Sequence, residues 1–335
     1  SKYTLLLKFK PMNIEWEVLN PGPDQFRFVR ENLADSVYPT WPKIPEIFTR
    51  YSVAIKTNRD QFVIDFDDAA LMERIQIFID PKLSDEVVLD RLKLDVNAQW
   101  NISKARNVCR NEYSDDHYKV LQYRPFDERR IYYHPSVVFN DRPSTMSPML
   151  DGDNIALLSN RRIRTGTHAH FFIADKICMA EMLSSADNCN IYPLYMYTHE
   201  NELFRKTRVS TINQEIIKTL DRTGVHIDSE GLLYWIYALV HSPTYRSRYQ
   251  EQLLADHAKI PLPVTLNNFT SAICQLGKEL ISLHLLRFTN DYSQVATPVG
   301  IDNYQVEKIS YSNETAWIDT GRTKGFVGIS ESIWH

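Results

Sequence analysis

The stretch YRPFDERRIYYHP, Tyr123 to Pro135, divides the chain. Ahead of it, apolar residues recur with a helical period. Beyond it, from about 120 to 200, they fall into short runs bounded by turn residues, the pattern of strands. Within it, Arg124 and Asp127 are spaced for an ion-paired turn around Pro125, with Phe126 expected to be buried beneath. Arg129 and Arg130 lead into a strand and are candidates for phosphate contact. So many guanidinium and aromatic groups together suit either a packed polar corner or a face for a polyanion.

Working outward, VYPTWPKIPEIF (37–48) carries Pro39, Pro42 and Pro45; it is expected to be irregular and to mark a domain boundary. In DFDDAALMERIQIFID, Leu71, Ile75, Phe78 and Ile79 fall on one helical face, with acids at the start and Pro81 at the end. SDEVVLDRLKL predicts a second helix capped by Ser84 or Asp85. KTNRD predicts a turn from which Arg59 reaches a groove or pairs with Asp60. NIALLS, HAHFFIA and YPLYMYT read as strands. Helices then return: one capped by Ser210 or Thr211 and closed by Gly224, one over 229–243, and one whose seam is Phe269, Ile273, Leu276, Leu280 and Leu283. In HSPTYRSRYQ, Tyr245 and Tyr249 are spaced to pack. Short strands follow 290. The order predicts an α+β fold: a helical connector over 37–115, then a mixed α/β domain over 116–335 ending in a β-meander.

The 335 residues are 43% hydrophobic and 12% aromatic, enough for a core, and the net charge of -4 leaves room only for a local basic face. The four cysteines lie far apart, without CxxC, and read as reduced thiols of a cytoplasmic protein. The N-terminus has no signal-like segment and no apolar run is long enough for a membrane span. The strand-like KYTLLLKF at the start suggests a piece of something longer.

Catalytic signatures are missing. An amine-directed base methyltransferase needs an Asn/Asp-Pro-Pro-aromatic loop, and no two prolines are adjacent. No Gly-x-Gly occurs, and the Gly277-Lys278 pair lacks the upstream glycine of a P-loop. Asp80 and Lys82 have a nuclease-like spacing at a helix end, where a solvated terminus is the plainer reading. His168 and His170 alternate as metal ligands can, without an evident third ligand. No catalytic or metal residue is assigned.

Basic residues gather twice. SNRRIRTGTHAH (159–170) holds Arg161, Arg162, Arg164 and His168 with Thr165 and Thr167, and no acid. FRKTR (204–208) holds Arg205, Lys206 and Arg208. Arginine meets phosphate or a guanine edge bidentately, and hydroxyls beside Gly166 suit backbone contacts; a solvated, ion-paired loop is the alternative.

Four stretches together resemble the C-terminal target-recognition region of type ISP single-polypeptide restriction-modification enzymes: AIKTNRDQFVIDFD (54–67), YRPFDERRIYYHP, YWIYALVHSPTYRSRYQEQLLADHAKIPLP (234–263) and LGKELISLHLL (276–286). The resemblance runs from about residue 37 to the end. It implies a DNA specificity module that binds duplex DNA and positions the site for adenine methylation and cleavage by other domains. Residues 1–36 would be the trailing edge of a preceding methyltransferase domain of the same polypeptide. S-adenosylmethionine, ATP and Mg would serve the parent protein and no cofactor this region. Relatives continue past a GI-x-x-x-IW-like stretch into a Gly-Gly-Tyr and Trp-Leu segment, whereas this chain stops at His335. The alternative is a protein–protein interaction scaffold within a multidomain phage-defence enzyme. The DNA reading expects the two basic clusters to converge on one concave face.

Overall fold

The structure is a computed structural model of the chain. The residues described are 37–95, 100–164, 170–199, 206–265, 267–287, 296–302 and 305–334. They divide into two units, Ser1–Lys278 and Glu279–His335.

The first unit is built from helices α1 (Ile44–Ile47), α2 (Asp60–Val63), α3 (Asp68–Ile79), α4 (Asp85–Leu92), α5 (Ile102–Asn111), α6 (Pro143–Asp151), α7 (Gln214–Arg222), α8 (Ser229–His241), α9 (Pro243–Arg248) and α10 (Gln250–Ala255). Helix α11 (Asn268–His284) begins in it. Its strands are β1 (Ser52–Val53), β2 (Ile64–Asp65), β3 (Tyr118–Arg124), β4 (Asp127–Tyr132), β5 (Ala156–Asn160), β6 (Phe171–Ala174), β7 (Ile177–Cys178), β8 (Cys189–Pro193), β9 (Tyr195–His199) and β10 (Lys206–Ser210). One antiparallel sheet has the order β1-β8-β5-β6, with Leu158 between Phe172 and Ile191. Every residue of β5, β6 and β8 is buried, so these strands are covered on both faces and show no alternation of apolar and polar residues. The second sheet, β2-β4-β3-β7, is antiparallel except for the β3–β7 pair. Ile55 bridges Met179 and ties the two sheets together. A ribbon of β9 and β10 extends from the first sheet beyond Leu194. The architecture is α+β, as expected.

Local rules explain the helices. Asp67 caps α3 by accepting the Ala69 amide at 2.8 Å, and the four predicted residues Leu71, Ile75, Phe78 and Ile79 are its buried face. Ser84 caps α4. Helix α7 is capped by Asn213 rather than Ser210 or Thr211; Ser210 ends β10, and the Thr211 hydroxyl donates to the Pro193 carbonyl at 2.6 Å. Gly224, at φ +78, closes α7. The three helices α3, α4 and α5 are clipped by Arg106, 5% exposed. Its Nε donates to the Phe78 carbonyl at 2.7 Å, Nη2 to the Asp80 and Leu83 carbonyls at 2.7 and 2.9 Å, and Nη1 pairs with Asp85.

The helical and strand regions share one core: Leu71, Ile75 and Phe78 pack in the same cluster as Leu121, Ile131 and Ile191. The 115/116 boundary expected from the change of periodicity falls inside it. The proline-rich segment is also built in. Tyr38–Thr40 forms a 3-10 turn and α1 follows, each with proline in its first turn, where no amide partner is lost. Ile44 N donates to the Ala258 carbonyl at 3.1 Å, and Ile260 N to that of Pro42 at 2.9 Å. Tyr38 stacks on Tyr249 at 4.6 Å, and Tyr249 packs against Tyr245 as predicted.

The opening stretch is a hairpin of β3 and β4 turning at Pro125 and Phe126. Two details differ from expectation. Phe126 takes φ +63 and is 58% exposed, its ring perpendicular to that of Phe172 with centroids 5.3 Å apart instead of lying buried beneath the turn. Asp127 is bound by Arg129, Nη2 to Oδ2 at 2.8 Å, rather than by Arg124. Positions two apart on a strand point the same way, so Arg129 reaches Asp127 alongside its own strand.

Helix α11 also differs. Phe269 and Leu276, expected on its buried seam, are 70% and 61% exposed. The small residues face inward: the Cys274 thiol lies 3.6 Å from the Gly231 carbonyl of α8, and a Cβ on Gly277 would fall 1.9 Å from the Tyr234 oxygen. So close a crossing of backbones admits no side chain at that point.

The second unit carries a sheet of order β11-β14-β13-β12, from β11 (Thr297–Val299), β12 (Ser310–Ser312), β13 (Thr315–Trp317) and β14 (Gly325–Val327). Strands β12 to β14 form the predicted meander. Asn313 and Glu314, at φ +52 and +54, make the tight turn that joins its first two strands. A short helix, α12 (Glu331–Trp334), sets Trp334 on Tyr311 at 5.0 Å.

Candidate nucleic-acid interface

Strand β5 ends at Asn160, and the chain leaves the sheet as Arg161, Arg162, Ile163 and Arg164. Ile163 is buried and its N–H donates to the Leu254 carbonyl of α10 at 3.1 Å; the three arginines around it are exposed. The apolar anchor therefore holds the segment down while the guanidinium groups project.

Two acids, Asp187 buried and Asp256 partly buried, pair with two of those arginines. Arg161 Nε donates to Asp256 Oδ1 at 3.3 Å, with side-chain exposures of 71% and 14%. Arg164 Nε lies 3.1 Å from Asp187 Oδ1, at 64% and 5%, and its backbone N–H donates to Oδ2 of the same carboxylate at 3.2 Å. Arg162 makes no ion pair among the described residues. The acids were invisible locally because they lie 95 and 23 positions away along the chain.

Asp256 also accepts Lys43 Nζ at 2.9 Å. Burial alone would raise its pKa, but Lys43, the His257 amide and Arg161 outweigh that and hold it at about 2. A carboxyl depressed by folding contributes stability above its unfolded pKa of about 4, and that contribution is lost as pH falls toward the folded value. The stability difference between wild type and Asp256→Asn should therefore be full at neutral pH and shrink as pH falls from about 4 toward 2. Urea titrations at each pH measure it; a difference constant with pH would contradict the assignment.

The second cluster lies elsewhere. Lys206 and Arg208 are on β10, and Arg208 covers the Tyr195 ring at 4.0 Å with Nη2 3.8 Å from Glu230. Asn160 pairs with Cys189, whereas Lys206 pairs with His199, ten positions further along β8 and β9. The path between them bends at Leu194, so the two clusters are carried by different sheets, the first following β5 of the four-stranded sheet and the second on the β9–β10 ribbon. Thr165, Thr167, His168 and Arg205 lie outside the described residues.

The remaining candidates are held internally. Arg129 is sandwiched between Tyr123 and Phe66, at 3.7 and 4.3 Å from their ring centroids, while bound to Asp127. Arg130 Nε sits 2.8 Å from Asp68 Oδ1, an ion-pair contact whose N–H is not aimed at the oxygen. Arg59 stacks on Trp100 at 3.8 Å, and burial lowers its pKa. Asp60 instead accepts the Tyr123 hydroxyl at 2.8 Å. Asp80, read for a nuclease spacing, accepts the Lys82 amide at 2.8 Å in a turn. No group of three metal-binding side chains occurs among the described residues.

A recognition domain with projecting basic side chains is the class this arrangement points to. The Type ISP C-terminal specificity domain matches residues 46–335, and the chain belongs to that family. No curated protein matches it. Solved structures share the fold. The ATP-dependent Type ISP restriction-modification enzyme LlaBIII bound to DNA has a TM-score of 0.66 at 19% identity, over 89% of this chain and 20% of that one. A nuclease-deletion mutant of the Type ISP enzyme LlaGI, in complex with a DNA substrate mimic, gives 0.66 at 20%, over 96% and 30%. The DrdV–DNA complex gives 0.68 at 18%, over 98% and 35%. The chain thus spans a third or less of the length of most of these proteins. No helix among the described residues is long and apolar enough to cross a membrane.

Proposed function

We propose that this chain is the DNA target-recognition module of a Type ISP restriction-modification enzyme, binding duplex DNA through the segment Arg161–Arg164. The observation that carries this is the outward presentation of three arginines from a segment anchored by Ile163. Family membership and the DNA-bound state of the three similar structures support it. In this reading the chain is non-catalytic. S-adenosylmethionine, ATP and Mg serve other domains, among them an adenine methyltransferase in the same polypeptide. Residues 1–36 are that domain's trailing edge, 37–115 share the core of the recognition domain, and the parent protein acts in the cytoplasm. The methyltransferase domain and double-stranded DNA are its partners.

A salt-titrated binding assay with mixed-sequence duplex tests the reading. Affinity should fall steeply with salt, and each phosphate contact removed by Arg161→Ala or Arg162→Ala should flatten the log–log slope by about 0.9. Unchanged binding in both single variants and in Arg164→Ala would move the interface away from this segment. Absence of salt-dependent binding altogether would favour a protein-docking scaffold. Incubation with labelled S-adenosylmethionine and duplex should give no methylated DNA; turnover by a clean preparation would contradict the non-catalytic assignment.

A further inference from the structure

We infer that Arg164 reads a guanine edge in the major groove and that Asp187 is the positioning residue that fixes it, while Arg162 follows the phosphate backbone. The inference rests on the DNA-binding reading above and goes beyond it by dividing the arginines into reader and backbone contact.

Guanine recognition through O6 and N7 needs a guanidinium fork held in one orientation, because the two acceptors are fixed in the plane of the base. A phosphate contact tolerates a swinging side chain, since charge rather than direction supplies most of the attraction. The two requirements are met by different residues here. Asp187 takes the Arg164 backbone N–H on Oδ2 at 3.2 Å and faces its Nε with Oδ1 at 3.1 Å. One carboxylate therefore binds the Arg164 backbone and pairs with the inner nitrogen of its guanidinium. The guanidinium contact is an ion pair at Nε, both Nη groups make no hydrogen bond among the described residues, and the side chain is 64% exposed.

The platform is firm. The Asp187 side chain is 5% exposed, and its backbone carbonyl accepts Asn160 Nδ2 at 3.4 Å, at the end of a strand buried along its whole length. Ile163, next to Arg164, is buried and hydrogen-bonded to α10. Arg161 differs in its partner: Asp256 takes its Nε at 3.3 Å but is shared with Lys43 and holds no backbone amide of the arginine segment. Arg162 is exposed and makes no ion pair among the described residues.

The test uses the full 335-residue chain. A preferred duplex is selected from a random-sequence library, and affinities are then measured on a panel with each base pair replaced in turn. Arg164→Ala should lose discrimination at one G·C position by about 5- to 150-fold. Arg162→Ala should weaken all duplexes alike and flatten the salt slope by about 0.9. Asp187→Asn should lose discrimination at the same position as Arg164→Ala, and the double variant should be no worse there than Arg164→Ala alone. Should Asp187→Asn fail to fold by circular dichroism, Arg164→Lys replaces it, keeping the charge and removing the fork; it should retain the salt slope and lose discrimination.

Several results would overturn the inference and leave DNA binding standing. They are retained discrimination in Asp187→Asn or Arg164→Lys, uniform weakening across the panel in Arg164→Ala, or a wild-type chain that binds duplex without base preference. Failure of the wild type to bind any duplex would instead overturn the DNA-binding reading itself.

Discussion

Arg106→Ala is expected to destabilise the first unit by about 3–5 kcal/mol, the range for removing one partner of a buried ion pair. The loss is large because one planar group does several jobs at once. It satisfies the carbonyls of Phe78, Asp80 and Leu83, where α3 ends and the chain turns, and it neutralises Asp85 in the first turn of α4. Alanine would leave these acceptors facing a dry cavity, and each unmet group has its own cost. Lysine keeps the charge but not the fork, so Arg106→Lys should recover only part of the stability. Urea unfolding followed by tryptophan fluorescence measures both. A change under about 1 kcal/mol in Arg106→Ala would mean that water replaces the guanidinium at little cost.

Gly277→Ala should also be costly, at about 3 kcal/mol or more, the upper part of the range for overpacking. In a helix interior the same exchange ordinarily gains about 1 kcal/mol, so the sign itself is informative. The new methyl would meet the Tyr234 carbonyl, with its carbon 2.7 Å away, and neither is a side chain that can swing aside. Relief requires α11 and α8 to separate. The result to look for is a lower melting temperature for Gly277→Ala beside an unchanged one for Lys278→Ala. A stabilised Gly277→Ala would show that the two helices do not cross at this distance.

Both cases show where the sequence was legible. Helix α3 was read to its four buried residues because cap, period and terminating proline agree. Strand β5 and the C-terminal meander were read on equally local signals. Arginine was opaque. Arg106 and Arg162 are the same residue type in similarly polar contexts, yet one is sealed in the core and the other projects. The difference is made by the acid and carbonyls that the fold brings to Arg106 from 20 or more positions away. The α11 seam was misread for a related reason. Periodicity finds the largest apolar face, whereas a close helix crossing selects the smallest one, so Gly277 and Cys274 outrank Phe269 and Leu276.

The clasp between the proline-rich segment and residues 258–260 bears on how specificity can be exchanged among such proteins. The Lys259 amide donates to the Tyr38 hydroxyl across 221 positions. Segment 37–48 can therefore settle only after the chain has been synthesised through residue 260, making it a late event in folding from the ribosome. It also makes the first unit a poor place for a splice. A chimera joined at 115/116 would cut through the shared core and mismatch both sides of the clasp, whereas a junction ahead of residue 37 carries the arginine segment, its two acids and their supports together.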